Sequence, residues 1–150
     1  MRSPRRWAIV LTLVLSAAAP ALGQTPSAAG RVKVTSGSAF IVRDSKMIPA
    51  QTGQVVFEAD ALRTGADGRI GVTLKDDTRL SLGPSSEVRL DRFVYAPGDG
   101  RLGLVLKIVR GVAAYVSGQI AKLSPDSIRL ETPAAIVGVR GTSLAIRVEP

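Results

Sequence analysis

The chain has neither cysteine nor histidine among its 150 residues, and the two absences remove most of the chemistry a small protein carries. Without cysteine there is no disulfide, no thiol nucleophile and no lipidated N-terminal cysteine, so the fold rests on its core alone. Without histidine a Ser-His-Asp relay is excluded within one subunit. Zinc and other transition metals lose their usual ligands with both residue types gone. Aromatics are scarce too: three Phe, two Tyr and one Trp, and that tryptophan is Trp7. A nucleic-acid surface interleaves stacking rings with gathered cations. Here the cations are spread singly, as in Arg31, Lys33, Arg43, Lys46, Arg63, Arg69, Lys75 and Arg79. They read as solvated strand faces, with weak attraction to anionic glycans or lipid headgroups as a second use. No nucleic-acid partner is expected.

A long hydrophobic run is also missing. The strongest apolar stretch, residues 7–14, follows Arg2, Arg5 and Arg6 and fades into Ala17, Ala18 and Ala19 before Ala21-Leu22-Gly23. A spanning helix needs about 20 apolar residues. Charged start, short apolar helix and small-residue site together read as a secretory signal over residues 1–23, cleaved after Gly23, with a cut after Ala21 as the alternative. Arg5-Arg6 hints at twin-arginine export, but Trp7-Ala8-Ile9 fits that pattern poorly and the strongly apolar run favours the general route. The expected location is periplasmic or otherwise exported, with membrane contact only through the signal peptide during export. The 20 basic residues against 12 acidic give a formal +8; without the three leader arginines 17 basic residues remain, a net of +5.

Residues 24–29 read as a flexible Pro/Ser/Ala tail, and residues 30–150 as one domain long enough to bury a core. In the domain apolar residues recur at a period of two: Val32/Val34, Val55/Phe57, Ile70/Val72/Leu74, Leu80/Leu82, Val88/Leu90, Leu102/Leu104/Leu106/Ile108, Ile128/Leu130 and Leu144/Ile146/Val148. Turn formers fall between these runs, among them Ser36-Gly37-Ser38, Pro49, Gly65, Gly83-Pro84, Gly111 and Pro133. Nothing after the leader repeats at i, i+3, i+4, i+7. The pattern predicts an all-β domain of many short strands: a compact β-roll, a short solenoid-like stack or a sandwich, which periodicity alone does not separate. The best-defined unit is a hairpin closing at Lys75-Asp76-Asp77-Thr78. Either this turn is longer than two residues, or Asp77 takes a positive φ at some cost.

Several strings resemble chemistry without its context. Gly98-Asp99-Gly100-Arg101-Leu102-Gly103 matches G-x-G-x-x-G, but a dinucleotide site needs that turn to open a helix, and a strand-like run follows. It reads as a hairpin loop. Gly141-Thr142-Ser143-Leu144-Ala145 lacks the helix and the base of a nucleophile elbow; Ser143 reads as a strand residue facing away from Leu144. Asp60, Asp67, Asp76 and Asp77 match no calcium-loop spacing and read as turn-capping residues. No catalytic, cofactor or metal residue is assigned, and the protein is expected not to be an enzyme.

The most informative stretch is Glu131-Thr132-Pro133-Ala134-Ala135-Ile136-Val137-Gly138-Val139-Arg140-Gly141-Thr142, followed by the alternating Leu144, Ile146 and Val148. Pro133 fixes its own φ and extends Thr132, and Gly141 supplies a positive-φ corner. The candidate site residues are Thr132, Pro133, Arg140, Gly141 and Thr142. Arg140 is read as satisfying turn carbonyls with its fork of donors, with contact to a partner as the competing role; Thr132 and Thr142 are read as hydroxyl partners in the same corner.

That stretch closely resembles the closing motif of the FecR-type domain, a bacterial envelope module. Two earlier strings resemble the same family: Phe57-Glu58-Ala59-Asp60-Ala61-Leu62-Arg63-Thr64-Gly65-Ala66-Asp67-Gly68-Arg69 and Leu80-Ser81-Leu82-Gly83-Pro84-Ser85-Ser86-Glu87-Val88. The resemblance implies short strands wound into a compact roll and a periplasmic part that listens to another envelope component. It also implies a further hairpin after the Arg-Gly-Thr strand, so Val148-Glu149-Pro150 leaves an edge to be paired. Family members that control a sigma factor do so through a cytoplasmic segment to which none of these motifs corresponds, so direct anti-sigma activity is not among the expectations. The leading expectation is a non-catalytic exported module that binds an envelope protein through a β-edge or loops. The alternative is a structural module, or one that binds peptidoglycan or another anionic glycan through its Arg/Lys-bearing faces.

Overall fold

The computed structural model describes residue 23 and residues 25–149; the signal peptide lies, but for its last residue, outside the described residues. Twelve strands follow in order: β1 (Ala28–Ser36), β2 (Ala39–Arg43), β3 (Lys46–Pro49), β4 (Val55–Phe57), β5 (Ala61–Thr64), β6 (Arg69–Leu74), β7 (Arg79–Leu82), β8 (Glu87–Ala96), β9 (Arg101–Val116), β10 (Ile128–Glu131), β11 (Ile136–Val137) and β12 (Ser143–Val148). They form one continuous curled sheet in the order β3-β2-β5-β8-β9-β7-β6-β1-β4, with β10 and β12 on β9 and β11 on β10. The pairing is antiparallel except between β9 and β10. The result is a roll, since a solenoid stack would pair its coils in parallel.

The 16-residue β9 organises the fold. Its first half pairs with β8 on one side and β10 on the other; its second half pairs with β7 and β12. Between the halves Gly111 turns to φ +81°. A side chain there would run into Ser86 Oγ and the adjacent backbone. This one bend lets the sheet curl over itself, so that alternate residues of both halves meet in a single core containing Val32, Ile41, Leu62, Ile70, Val72, Leu80, Leu82, Val88, Leu90, Leu104, Leu106, Ile108 and Leu130.

The sequence pattern predicted most of these inward positions, and three local departures have physical causes. A register shift between Val32 and Val34 in the β1–β6 ladder turns Val34 outward, where it is 61% exposed. In β4 the buried residue is Val56, while Val55 and Phe57 are half-buried. The Phe57 ring instead carries the Arg43 guanidinium 4.5 Å from its centroid. The strand β1 begins at Ala28 with Ala29 fully buried, so the domain starts two residues before the expected edge of the tail. The structure also contains a one-turn helix, α1 (Gln119–Leu123), too short to leave a helical repeat in the sequence; it drives Ile120 into the core.

The hairpin at 75–77 resolves both expectations for that turn. Leu74 N–H donates to Thr78 O at 2.8 Å and Asp77 N–H to Leu74 O at 3.0 Å, a three-residue loop, with Asp77 at φ +67° in the left-handed position such loops require. The 97–100 segment is likewise a hairpin loop, joining β8 to β9 through the pair Ala96–Arg101 with no helix after it.

Candidate functional site

The C-terminal corner is built outward from β9. Strand β12 runs antiparallel to the second half of β9, from Ser143 opposite Val116 to Val148 opposite Gly111, with no register break. Ser117, directly after β9, holds the corner that precedes β12: its N–H donates to Thr142 O at 2.8 Å and its hydroxyl to Gly141 O at 2.9 Å. Gly141 sits at φ +121°, a conformation that favours glycine. The corner carbonyls are therefore satisfied by Ser117, not by Arg140. The Arg140 side chain is exposed and makes no hydrogen bond or ion pair among the described residues, which departs from the expected structural role. It borders an open groove of about 660 Å³ shared with Ala121, Asp126, Ile128 and Val139.

Thr132 and Pro133 are not in that corner but in the preceding turn between β10 and β11. Thr132 N–H donates to Ala135 O at 2.8 Å, and its hydroxyl oxygen accepts from Ala135 N–H at 3.0 Å. Pro133 and Thr142 are exposed. The five residues thus form two separate turns on either side of the two-residue β11, and no cleft gathers them.

What the stretch does present is an open strand edge. The Ser117–Thr142 bond sets the phase of the β9–β12 ladder, so Leu144, Ile146 and Val148 turn their main-chain groups to β9. Ser143, Ala145 and Arg147 turn theirs away. No strand among the described residues pairs with that side. Leu144, Ile146 and Val148 are half-buried against the core, while Ser143, Ala145 and Arg147 are exposed.

Two polar knots hold the neighbourhood, and neither was legible as a site. The Asp76 carboxylate is fully buried and accepts from Thr78 N–H at 3.1 Å, from the Thr78 hydroxyl at 2.7 Å and from Ile120 N–H at 3.2 Å. Its carbonyl takes Gln119 N–H at 2.6 Å. The second knot links Thr64, Ser86 and Val112: Thr64 Oγ1 accepts from Ser86 N–H at 2.9 Å and donates to Gly83 O at 2.7 Å, and Ser86 Oγ accepts from Val112 N–H at 2.8 Å. Of the other aspartates, Asp60 is buried and takes two bonds from Arg43, at 2.8 and 2.7 Å, and one from Phe57 N–H at 2.9 Å. The bond to Asp60 raises the Arg43 guanidinium above its ordinary range. Bonding from Ser38 holds the Asp67 carboxyl below its ordinary value. No group of three or more acids stands together as a metal site among the described residues.

Tyr115, on β9 beside these knots, is 2% exposed, and its hydroxyl has no hydrogen-bond partner among the described residues. Burial pushes the phenol above its ordinary value of 10.0. Tyr115→Phe removes an unpaired buried hydroxyl and is expected to stabilise the fold by about 1 kcal/mol at neutral pH. The folded-state pKa is raised, so the wild type keeps its full stability below the unfolded value near 10 and loses it as pH rises toward the folded value. Urea midpoints from pH 8 to 11 check this: the wild type falls more steeply above pH 10 than the phenylalanine variant.

Among the described residues no helix is long and apolar enough to cross a membrane. A family model described as FecR protein matches residues 60–150, which includes β5 to β12 and both knots. No curated protein and no solved structure matches the chain.

Proposed function

The chain belongs to the FecR protein family, a signalling-related family of envelope domains, and from that premise we propose a non-catalytic, exported interaction module that binds an envelope protein through the open edge of β12. The observation that carries this reading is the contrast between β12 and the other edges. Strand β3 carries Lys46 and Pro49, β4 has three residues and β11 has two. Short, charged or proline-bearing edges resist pairing with other chains. Strand β12 has six residues, no proline and an unbroken register, and offers the main-chain groups of Ser143, Ala145 and Arg147. An extended segment of a partner adds there as the next strand. It would place apolar residues beside Leu144 and Ile146 and an acidic residue opposite Arg147, and Arg140 stands at the entrance for a second charge contact.

The test rests on the phase of the ladder. Ala145→Pro removes a main-chain donor from the open side only, and Leu144 is already extended, as a residue before proline prefers. The variant is expected to keep its fold and lose at least about tenfold in partner capture, since strand addition draws its affinity from main-chain bonds. Ile146→Pro breaks the bond to β9 instead and is expected to destabilise the fold by about 3 kcal/mol. The assay is crosslinking in envelope fractions from a photoreactive residue at position 143. Capture that survives Ala145→Pro with the fold intact contradicts the edge reading.

A further inference from the structure

Most arginines on one half of the sheet have an acidic partner, Arg92 and Arg101 being the exceptions, whereas four on the outer face of the other half have none. On the half built by β2, β5, β8, β10 and the first part of β9, Arg43, Arg63, Arg89, Arg110 and Arg129 each stand within 4.0 Å of an acid, pairing with Asp60, Glu87, Asp91, Glu87 and Glu131. On the outer face of the half built by β1, β6, β7, β12 and the second part of β9, Arg31, Arg69, Arg79 and Arg147 are all exposed, and none has an ion-pair partner among the described residues. The only bond among these four is from Arg31 to Gly53 O, at 3.0 Å.

The register places these cations in two lines. Arg31, Thr73, Arg79, Val116 and Ser143 lie side by side across five strands. Two rows away, Arg69 lies beside Ser36 on β1, and Arg147 lies beside Val112 on β9. Between the lines run Val34, Gly71, Ser81, Ala114 and Ala145, again side by side. A shallow groove of about 350 Å³, with Gly71, Ser81 and Gly83 on its floor and Val34, Arg69 and Val112 around it, opens onto this row. Four residues of strand separate the arginine lines by about 14 Å, and five strands carry the row across about 19 Å. No acid occupies the three rows; Asp67, Asp77 and Glu149 stand beyond their ends.

We propose that this face binds a linear, carboxylate-bearing glycan of the cell wall, laid across the strands between the two arginine lines. Unpaired guanidiniums on a solvated face are an anion-recognition device, each able to grip a carboxylate with two parallel donors. The face has no main-chain groups to offer and no aromatic or methionine side chain, so it lacks the anchors that hold protein interfaces. Its outward curl meets a flat bilayer along one line only, whereas a chain lying in the groove reaches cations on both sides. The inference rests on the exported location given above, but not on the β12 edge.

The experiment is co-sedimentation of the leaderless protein with purified peptidoglycan sacculi, with phosphatidylglycerol vesicles as the second arm, at low and moderate salt. Wild type is expected to sediment with sacculi, and exposed ion contacts make salt release it. Arg69→Gln/Arg79→Gln/Arg147→Gln is expected to lose at least about tenfold, because charge-assisted contacts are removed together. Arg89→Gln/Arg129→Gln, on the other half, is expected to sediment as wild type does, which ties the binding to this face. Thermal melts establish that each variant is folded. Sacculi binding that the folded triple variant retains, stronger binding to the vesicles, or no sedimentation with sacculi overturns the proposal.

Discussion

Gly111→Ala is expected to cost about 2–4 kcal/mol, the sum of a left-handed backbone penalty of about 1–2 kcal/mol and an overpacking penalty of similar size. Gly111 sits at φ +81°, and a Cβ built on it overlaps Ser86 Oγ, Ser86 Cα and Ser85 O. Neither neighbour is free to move. Ser86 Oγ is fixed by Val112 N–H at 2.8 Å, and the Ser86 backbone is fixed to Thr64 from both its N–H and its carbonyl. Relieving the overlap means opening the bend where β9 passes from one half of the sheet to the other. A comparison isolates the packing part: Gly100 has φ +64° but nothing within 4 Å of an added Cβ, so Gly100→Ala costs only the backbone penalty, about 1–2 kcal/mol. Urea midpoints of the two variants should differ by roughly the overpacking cost. Equal midpoints would mean that the bend relaxes freely and does not hold the halves together.

Asp76→Ala is expected to cost a similar amount, about 3–4 kcal/mol, through unpaired donors rather than strain. The substitution leaves Thr78 N–H, the Thr78 hydroxyl and Ile120 N–H without their acceptor in a buried place, and such groups cost about 1–3 kcal/mol each before the structure relaxes. The same carboxylate ties the 75–77 loop to the start of α1, and Gly118 lies so close to Asp76 O and Thr78 N that a side chain there would push the two apart. Asp76→Asn keeps one oxygen acceptor and should lose less than the alanine variant. Amide exchange localises the effect: Thr78 and Ile120 should accelerate more in Asp76→Ala than Leu104 and Leu106 in the first half of β9, which speed up only as far as the loss of global stability carries them. Uniform acceleration across the domain would instead make Asp76 part of the global folding unit.

Most strands could be read from the sequence because each buries alternate residues against one core, and alternation is a local signal. The Gly98–Gly103 string was legible as a loop for the same reason, since the residues after it alternate as β9 does. Gly141 was legible because a positive φ has few alternatives to glycine. The misplaced residues fail where an extra residue enters a ladder: Val34 faces solvent because the register of β1 slips against β6, and nothing near Val34 announces the slip. The polar knots were hidden by distance along the chain. Asp76 reaches Ile120 across 44 residues and Ser86 reaches Val112 across 26. Arg140 was misjudged because the donor that satisfies its corner, Ser117, lies on the far side of α1 and β10 in sequence. The gathering of Arg31, Arg69, Arg79 and Arg147 on one face exists only once strand order is known, because β1, the β6–β7 hairpin, β9 and β12 are neighbours in the sheet but lie far apart in the chain.

The measurement that bears most directly on the edge reading is amide exchange of β12 in the crosslinked complex against the free protein. Strand addition predicts new protection in alternation, at Ser143, Ala145 and Arg147, with Leu144 and Ile146 unchanged because β9 already holds them. Protection absent from those three amides, in a complex that still forms, would contradict the β12 edge as the docking site.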